Sequence, residues 1–270
     1  MNFLSRISLF IITILTCTSA LALEVCDALD VGESKNIFIG RFENHAKMAP
    51  RYILRRVSET HHEVYFRMKF INKTNSKETS DELNKIFQAK AHSCAYKYRD
   101  SLVDPSGRSI SLMMYDEDSH KQLLGGEPTL VSIAILPKGK RSYSGGYARN
   151  IECKEIVHEL LHIAGLVDEY DEKDEDDKPL YPNRAVGPLT SWMADSSMTF
   201  FGMGAKKKFL YPGQLDAILY PNCLEKNSLY YSCAAQAYDG KPSGEILPSC
   251  KTKAGWLKGG LLSGLQVPPS

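Results

Sequence analysis

Two histidines four residues apart, with a glutamate beside the first, are the part of the sequence best suited to chemistry. His158, Glu159 and His162 form the pattern H-E-x-x-H. On a helix, residues four apart lie roughly 40° apart around the axis and about 6 Å along it. Both imidazoles can therefore reach one metal ion, and zinc commonly takes such nitrogen ligands. The spacing predicts a zinc site presented by one helix.

Glu159 directly follows the first histidine, so it need not bind the metal. Bound zinc lowers the pKa of a water molecule to about 7, and a neighbouring carboxylate can take the proton of that water. We expect Glu159 to act as general base for attack on a carbonyl and then to protonate the leaving amine. The five-residue pattern alone is a modest signal, because helical histidines are also found as ordinary surface or core residues.

A third zinc ligand is sought downstream, because a catalytic zinc usually has three protein ligands and one open position. The chain has seven histidines and none follows His162, which leaves a downstream carboxylate or an upstream histidine. Asp168 stands three residues after Gly165, where a tight turn can return the chain to the metal. Glu169 is the nearest competitor. We therefore predict Asp168 as the third ligand.

The elements that position this site can be predicted from hydrophobic periodicity and from capping residues. The zinc helix is expected from about Ile151 to Ala164, with Asn150 as N-cap and Gly165 ending it in a left-handed conformation. Upstream, the order strand, helix, strand, strand is predicted, and two short strands are proposed before it. The predicted segments are 37–39 and 52–54 for the short strands, 62–71, 80–99 with Ser80 and Asp81 as capping candidates, 109–115 and 129–136.

The remaining organisation is read from composition. Residues 1–22 resemble a secretory signal peptide, with Arg6, a short apolar core and cleavage near Ala22. Residues 23–60 form an extension of unclear structure, 61–257 the main domain and 258–270 a loose tail. The net charge of +1 does not suggest nucleic acid or a membrane surface as partner. We expect a secreted or periplasmic monomer that acts on protein or peptide.

Six cysteines remain after the signal peptide, and an even number in an exported chain favours up to three disulfides. Cys223 and Cys233 are the favoured pair because they are close in sequence. A second unusual segment is residues 168–177, in which eight of ten residues are acidic. A solvated loop is the simpler interpretation, and a calcium site is the alternative, although the spacing does not fit an EF-hand loop.

The motif His158-Glu159-x-x-His162-x-x-Gly165-x-x-Asp168 resembles the zinc motif of the metzincin peptidases, with aspartate in place of the usual third histidine. Snapalysin-type bacterial peptidases share that aspartate. The segment 165–170 also resembles bacterial peptidases of the immunoglobulin-A-cleaving type. The resemblance is strong over the helix and the following turn and loose over the preceding strands.

The resemblance implies an α+β fold with a twisted mixed sheet, an edge strand over the cleft, an active-site helix and an irregular C-terminal subdomain. It implies that 129–136 is that edge strand and binds the backbone of the substrate. It also implies a methionine turn beneath the zinc, for which Met198 is the candidate and Met193 the rival. Tyr170 and Tyr211 are candidate donors to the transition state.

Three functions fit these observations. The favoured one is a zinc endopeptidase. A zinc amidase acting on cell-wall peptides uses the same activated water, and the helix motif does not exclude it. A catalytically silent metal-binding protein is the third, although such a protein would have no chemical need for Glu159.

Overall fold

The computed structural model describes residues 28–38, 50–166, 192–193 and 210–221. These residues form an α+β fold around a mixed, open six-stranded sheet. The strands are β1 (Ser34–Phe38), β2 (Arg51–Arg56), β3 (His61–Asn72), β4 (Ser109–Met114), β5 (Leu130–Leu136) and β6 (Gly146–Ala148). The helices are α1 (Ser80–Tyr98), α2 (Glu117–Leu124), α3 (Cys153–Ile163) and α4 (Pro212–Leu219), and a 3-10 turn, Arg99–Ser101, follows α1.

The long strand β3 organises the sheet because three other strands pair with it. Its first half pairs with β2 in antiparallel and with β4 in parallel orientation, and its second half pairs in parallel with β5. β1 pairs with β2, and β6 pairs in parallel with the second half of β5. Among the residues that the structure describes, β6 is therefore the terminal strand on this side. The resemblance implied that residues 129–136 form an edge strand. This is wrong for Ala134–Leu136, because β6 pairs with these residues.

Side chains of β3 alternate between the two faces of the sheet, as strand geometry requires. Phe66 and Phe70 belong to the main core, together with buried residues of α1 and α3. Tyr65 points to the other face and packs with Ile53 and with Leu124 of α2. The main core, and with it α3, therefore lies on one face of the sheet.

Polar side chains of α1 bind the backbone of the second half of β3. The Phe70 amide donates to Asn84 Oδ1 at 2.8 Å, and the Asn72 amide donates to Ser80 Oγ at 3.2 Å. Gln88 Nε2 donates to the carbonyl of Met68. Four helical residues rise about 6 Å and two strand residues about 6.6 Å, so every fourth helix residue meets every second strand residue. This match fixes α1 against the sheet.

The predicted segments 62–71, 80–99, 109–115 and 129–136 are confirmed as β3, α1, β4 and β5. The N-cap of α1 is Thr79, which forms a capping box with Glu82, and neither Ser80 nor Asp81. The strands predicted at 37–39 and 52–54 correspond to β1 and β2. Both lie in the 23–60 extension and pair into the same sheet.

The start of α3 differs from the prediction. Its N-cap is Glu152, whose amide donates to Glu155 Oε2 at 3.1 Å, and the helix begins at Cys153. The predicted cap, Asn150, accepts a hydrogen bond from the Gly139 amide at 3.0 Å instead, so its side chain is already engaged in the preceding loop. Elements α2, β6 and α4 were not predicted, and α4 lies in a stretch expected to be poor in regular structure.

Some sequence-based predictions fall outside the described residues. They are the signal peptide at 1–22, the acidic run at 168–177 with its calcium site, and the tail at 258–270. Within the described ranges, no helix is both long enough and apolar enough to cross a bilayer.

Candidate metal centre

Helix α3 presents the candidate catalytic side chains in a buried setting. Every residue from Ile156 to Ile163 is buried, including the polar members of the motif. His158 and Glu159 are each 7% exposed, and His162 is 4% exposed. Polar side chains are rarely buried to this degree without specific partners, so the surroundings of each one are informative.

The two imidazoles converge on one point. Nε2 of His158 lies 3.1 Å from Nε2 of His162. The ring centroids are 4.7 Å apart and the ring planes are nearly perpendicular, at 87°. The helical spacing of four residues therefore brings the two nitrogen atoms to the distance at which they can share one ligand.

Each remaining ring nitrogen contacts a backbone carbonyl. Nδ1 of His158 lies 2.9 Å from the carbonyl oxygen of Trp192, and Nδ1 of His162 lies 2.8 Å from that of Leu166. A carbonyl oxygen only accepts hydrogen bonds, so both Nδ1 atoms must carry the proton. In a neutral ring the lone pair is then on Nε2. Histidine ligands of metals are commonly oriented by this kind of hydrogen bond.

The end of α3 explains how Leu166 reaches His162. Gly165 has a φ of 99°, a left-handed conformation that glycine adopts without strain. The Gly165 amide donates to the His162 carbonyl and the Leu166 amide to the Leu161 carbonyl, at 2.9 and 3.0 Å. This pair of bonds is a Schellman motif, which reverses the chain at a helix end. The reversal brings the Leu166 carbonyl to the His162 ring, so the predicted role of Gly165 as helix terminator is confirmed.

Trp192 supports His158 from a distant part of the sequence. Its side chain is 2% exposed, and its indole Nε1 donates to the carbonyl of Ser101 at 3.1 Å. Its ring also packs edge-on against Tyr98, with centroids 5.2 Å apart. The turn after α1 thus positions the carbonyl that binds His158. The sequence does not predict this role, because any residue type supplies a backbone carbonyl.

The geometry of the two rings fits a zinc ion. Two nitrogen ligands at about 2.05 Å in a tetrahedral arrangement are about 3.3 Å apart, close to the observed 3.1 Å. Two neutral rings that point their lone pairs at each other at this distance repel. A positive centre between the rings removes that repulsion, and it can be a metal ion or a proton held by one ring. The donor set, two imidazole nitrogens with fixed tautomers, suits zinc.

Glu159 lies beside a buried tyrosine of the neighbouring strand β6. Burial, and next the negative charge of Glu159, raise the pKa of Tyr147 well above its usual value. Tyr147 is fully buried and packs against Phe70, with ring centroids 5.7 Å apart. The Glu159 carboxylate is therefore close enough to Tyr147 for its negative charge to act on the phenol.

A disulfide bond and a hydrogen bond hold the start of α3 against α1. Cys153, the first residue of α3, is disulfide-bonded to Cys94 of α1, and their Cα atoms are 4.8 Å apart. Lys90 of α1 donates to the carbonyl of Ile151 at 2.6 Å. This disulfide was not predicted, and the favoured pair, Cys223 and Cys233, lies outside the described residues.

The structure places three of the predicted site residues together, and they are His158, Glu159 and His162. Asp168, its competitor Glu169, and Met198 lie outside the described residues, so their assignments stay predictions. Within the described ranges no group of three His, Cys, Asp or Glu side chains is arranged to hold a metal ion.

The rival methionine and one candidate tyrosine are described. Met193 is fully buried and adjoins Trp192, whose carbonyl binds His158. Tyr211 is the N-cap residue of α4 and packs, partly buried, against the main core. Tyr170, the other candidate donor, lies outside the described residues.

Comparison of the chain with protein-family models, with curated proteins and with solved structures finds no match.

Proposed function

We propose that this protein is an exported zinc-dependent endopeptidase with His158 and His162 as metal ligands and Glu159 as general base. The observation that carries the proposal is the 3.1 Å approach of the two Nε2 atoms while both Nδ1 atoms are held by backbone carbonyls. That arrangement places the lone pair of each ring on Nε2 and directs the two Nε2 atoms toward one point, as two ligands of one metal ion require.

Three residues of α3 have separate roles in the proposed reaction. His158 and His162 would hold the metal, and zinc bound there would supply Lewis acidity toward a carbonyl and lower the pKa of a water molecule. Glu159, one residue from a ligand and largely buried, takes a proton from the attacking water and delivers it to the leaving amine. Burial excludes bulk water and strengthens the electrostatic effect of the carboxylate.

Asp168 is proposed as the third ligand. The Schellman motif turns the chain at Gly165 and directs Leu166 back toward the metal ligands, which supports a third ligand shortly afterwards. A carboxylate beside two imidazoles matches the ligand sets of known catalytic zinc sites. The direct check is zinc affinity of Asp168→Ala beside wild type, and an unchanged affinity would remove Asp168 from the site.

The decisive experiment measures metal content and proteolysis on the same samples. Wild type and Glu159→Gln should each hold one zinc per chain. Hydrolysis of an unfolded protein such as casein should fall at least 10²-fold in Glu159→Gln, the lower end of the range for loss of a general base. The matched control is Glu155→Gln on the same helix, whose amide oxygen can still accept the capping hydrogen bond from Glu152.

The possible results separate the candidate functions. If Glu159→Gln cleaves as fast as wild type, the assigned mechanism is wrong. If wild type binds zinc but cleaves neither casein nor a broad peptide library, cleavage of peptidoglycan fragments would identify the cell-wall amidase. Failure on all substrates with zinc retained would identify the silent metal-binding protein. If wild type binds no zinc, the peptidase proposal is wrong. A proton held by one ring, and not a metal ion, then explains the short distance between the two Nε2 atoms.

A further inference from the structure

A second group of reactive side chains lies outside the metal centre, around the start of β3 and β4. There a cavity of about 430 Å³ is lined by His61, Arg99, Asp100, Val103, Ser109 and Ser111. This volume falls within the usual range of sites for small molecules. None of these residues has a role in the proposed peptidase reaction.

His61 lies between two serine hydroxyls. Its Nδ1 is 2.8 Å from Ser109 Oγ and its Nε2 is 3.2 Å from Ser111 Oγ. The arrangement follows from the sheet, because Ser109 and Ser111 are two residues apart on β4 and therefore lie on the same face. His61 pairs with Ser109 in the parallel ladder between β3 and β4.

The hydrogen bonds of the His61 ring leave one serine hydroxyl able to donate to a ligand. A neutral imidazole has one N–H and one lone pair, so one serine donates to the ring while the other accepts and keeps its own proton. The shorter contact indicates that Ser109 donates to the ring, and its distance to the Thr60 carbonyl, 3.5 Å, is long for a hydroxyl donor. Ser111 then retains a proton that can bind an acceptor in the cavity.

Arg99 adds a guanidinium to the cavity wall. Its Nε lies 3.4 Å from Asp100 Oδ1, and its charged group stacks on Tyr96 at 4.1 Å from the ring centroid. Within the described part of the chain, its terminal Nη atoms make no hydrogen bond or ion pair. A guanidinium and a hydroxyl that face one cavity form the donor pair that oxyanions prefer.

Asp100 brings a carboxylate to the cavity wall. Its side chain is 92% exposed, so its negative charge is well screened by water and opposes an anion only weakly.

We propose that the cavity lined by His61, Arg99, Ser109 and Ser111 binds a small oxyanion, such as a phosphate or a carboxylate group. The Arg99 guanidinium and the Ser111 hydroxyl donate to its oxygens, while His61 orients both serines. Arg99 begins the 3-10 turn whose last residue, Ser101, holds Trp192. The proposed anion site is thus next to the turn that holds Trp192, whose carbonyl binds His158, and it shares no residue with the metal centre.

The test is a chemical-shift titration of the 15N-labelled protein with inorganic phosphate and, separately, with acetate at constant ionic strength. Saturable shifts at Ser109 and Ser111 are expected with at least one of the two ions. Tighter phosphate binding identifies a phosphoryl ligand, and equal or tighter acetate binding identifies a carboxylate. Absence of saturable shifts with both ions would overturn the proposal.

Variants of residues outside the hydrophobic core test the contacts without threatening the fold. Arg99→Gln should weaken binding about tenfold, Ser111→Ala should weaken it severalfold, and Asp100→Asn should strengthen it. Lys97→Gln removes the same charge from an exposed residue of α1 and should have little effect. Weaker binding in Asp100→Asn, or equal losses in Arg99→Gln and Lys97→Gln, would refute the site. Glu159→Gln should leave the affinity unchanged, which keeps this result independent of the peptidase proposal.

Discussion

Cys94, buried near the C-terminal end of the long helix α1, is covalently bonded to Cys153, the first residue of the helix that carries the histidines. The bond closes a loop with a sequence separation of 59 residues, and that loop contains β4, β5 and β6. The disulfide therefore restrains the strands that precede the candidate site as well as the site helix itself.

Removal of this bond should destabilise the protein. For a loop of this length the chain-entropy model gives about 4 kcal/mol, with engineered cases often lower. Replacement of both Cys94 and Cys153 by alanine should lower the urea midpoint accordingly. Reductant should shift the midpoint of wild type more than that of the double variant. Equal shifts in the two proteins would show that this bond contributes little.

The turn at Gly165 should matter more for metal affinity than for stability. Gly165→Ala places a Cβ in a left-handed conformation at a cost of about 1 kcal/mol and disturbs the Leu166 carbonyl that orients His162. Loss of such an orienting bond typically lowers metal affinity 10- to 100-fold. Competition with a zinc chelator measures the effect.

Gly125→Ala is the matched control for that prediction. Gly125 ends α2 in a similar left-handed conformation, with a φ of 66°, on the other face of the sheet. Its replacement should cost similar stability and leave zinc affinity unchanged. Equal losses of affinity in both variants would mean that His162 is not oriented by the Leu166 carbonyl.

Arg108 should be important for stability because it joins α4 to the rest of the fold. It contacts Asp104 at 2.9 Å and Asp216 of α4 at 2.6 Å, and the Asp104 side chain is fully buried. Burial disfavours its charge, but Asp216 and Asp104 together raise the pKa of the guanidinium. Arg108→Met would leave a buried carboxylate unpaired, at a cost of about 3–5 kcal/mol.

The control is Lys121→Met, which removes exposed ion pairs with Glu117 and Glu127. Such surface pairs contribute at most about 1 kcal/mol. Chemical denaturation of both variants gives the comparison. A loss in Arg108→Met as small as in Lys121→Met would contradict the predicted role of Arg108.

His62 should make stability depend on pH. Burial is the main cause that lowers its pKa from the usual 6.5 to about 4 in the folded protein. Between these two pH values the unfolded chain therefore binds a proton that the folded protein does not. The folded state therefore loses stability as pH falls from about 6.5 to about 4, by about 3 kcal/mol in total. His62→Gln should lack this part of the dependence. His92→Gln, at an exposed position of α1, should retain it when denaturation midpoints are measured across that range.

The parts of the fold that could be predicted are those with a strong local pattern. β4 alternates buried and less buried residues, and α1 carries apolar residues at helical spacing, so both were located. β6 has three residues and begins with glycine, too short for any periodicity to appear. α2 has two turns with one buried residue, Leu124, and its polar composition resembles a loop.

In the candidate site, too, the sequence predicts the features set by local spacing and not those set by long-range packing. His158, Glu159 and His162 could be identified because one short helix sets their spacing. The carbonyl of Trp192 could not, because it depends on a contact between segments 34 residues apart and on no side-chain chemistry of its own. The Cys94–Cys153 pair likewise depends on how α1 and α3 pack.

The position of Trp192 gives the protein an internal optical reporter. The chain has two tryptophans, Trp192 and Trp256, and the carbonyl of the first binds the His158 ring while its indole is held in the core. A change of charge at His158 should alter the local field at the indole. Titration with buffered free zinc should therefore change the fluorescence of a Trp256→Phe variant, and the free zinc concentration at the midpoint should equal the zinc dissociation constant. The signal would allow metal exchange to be followed in real time without a substrate.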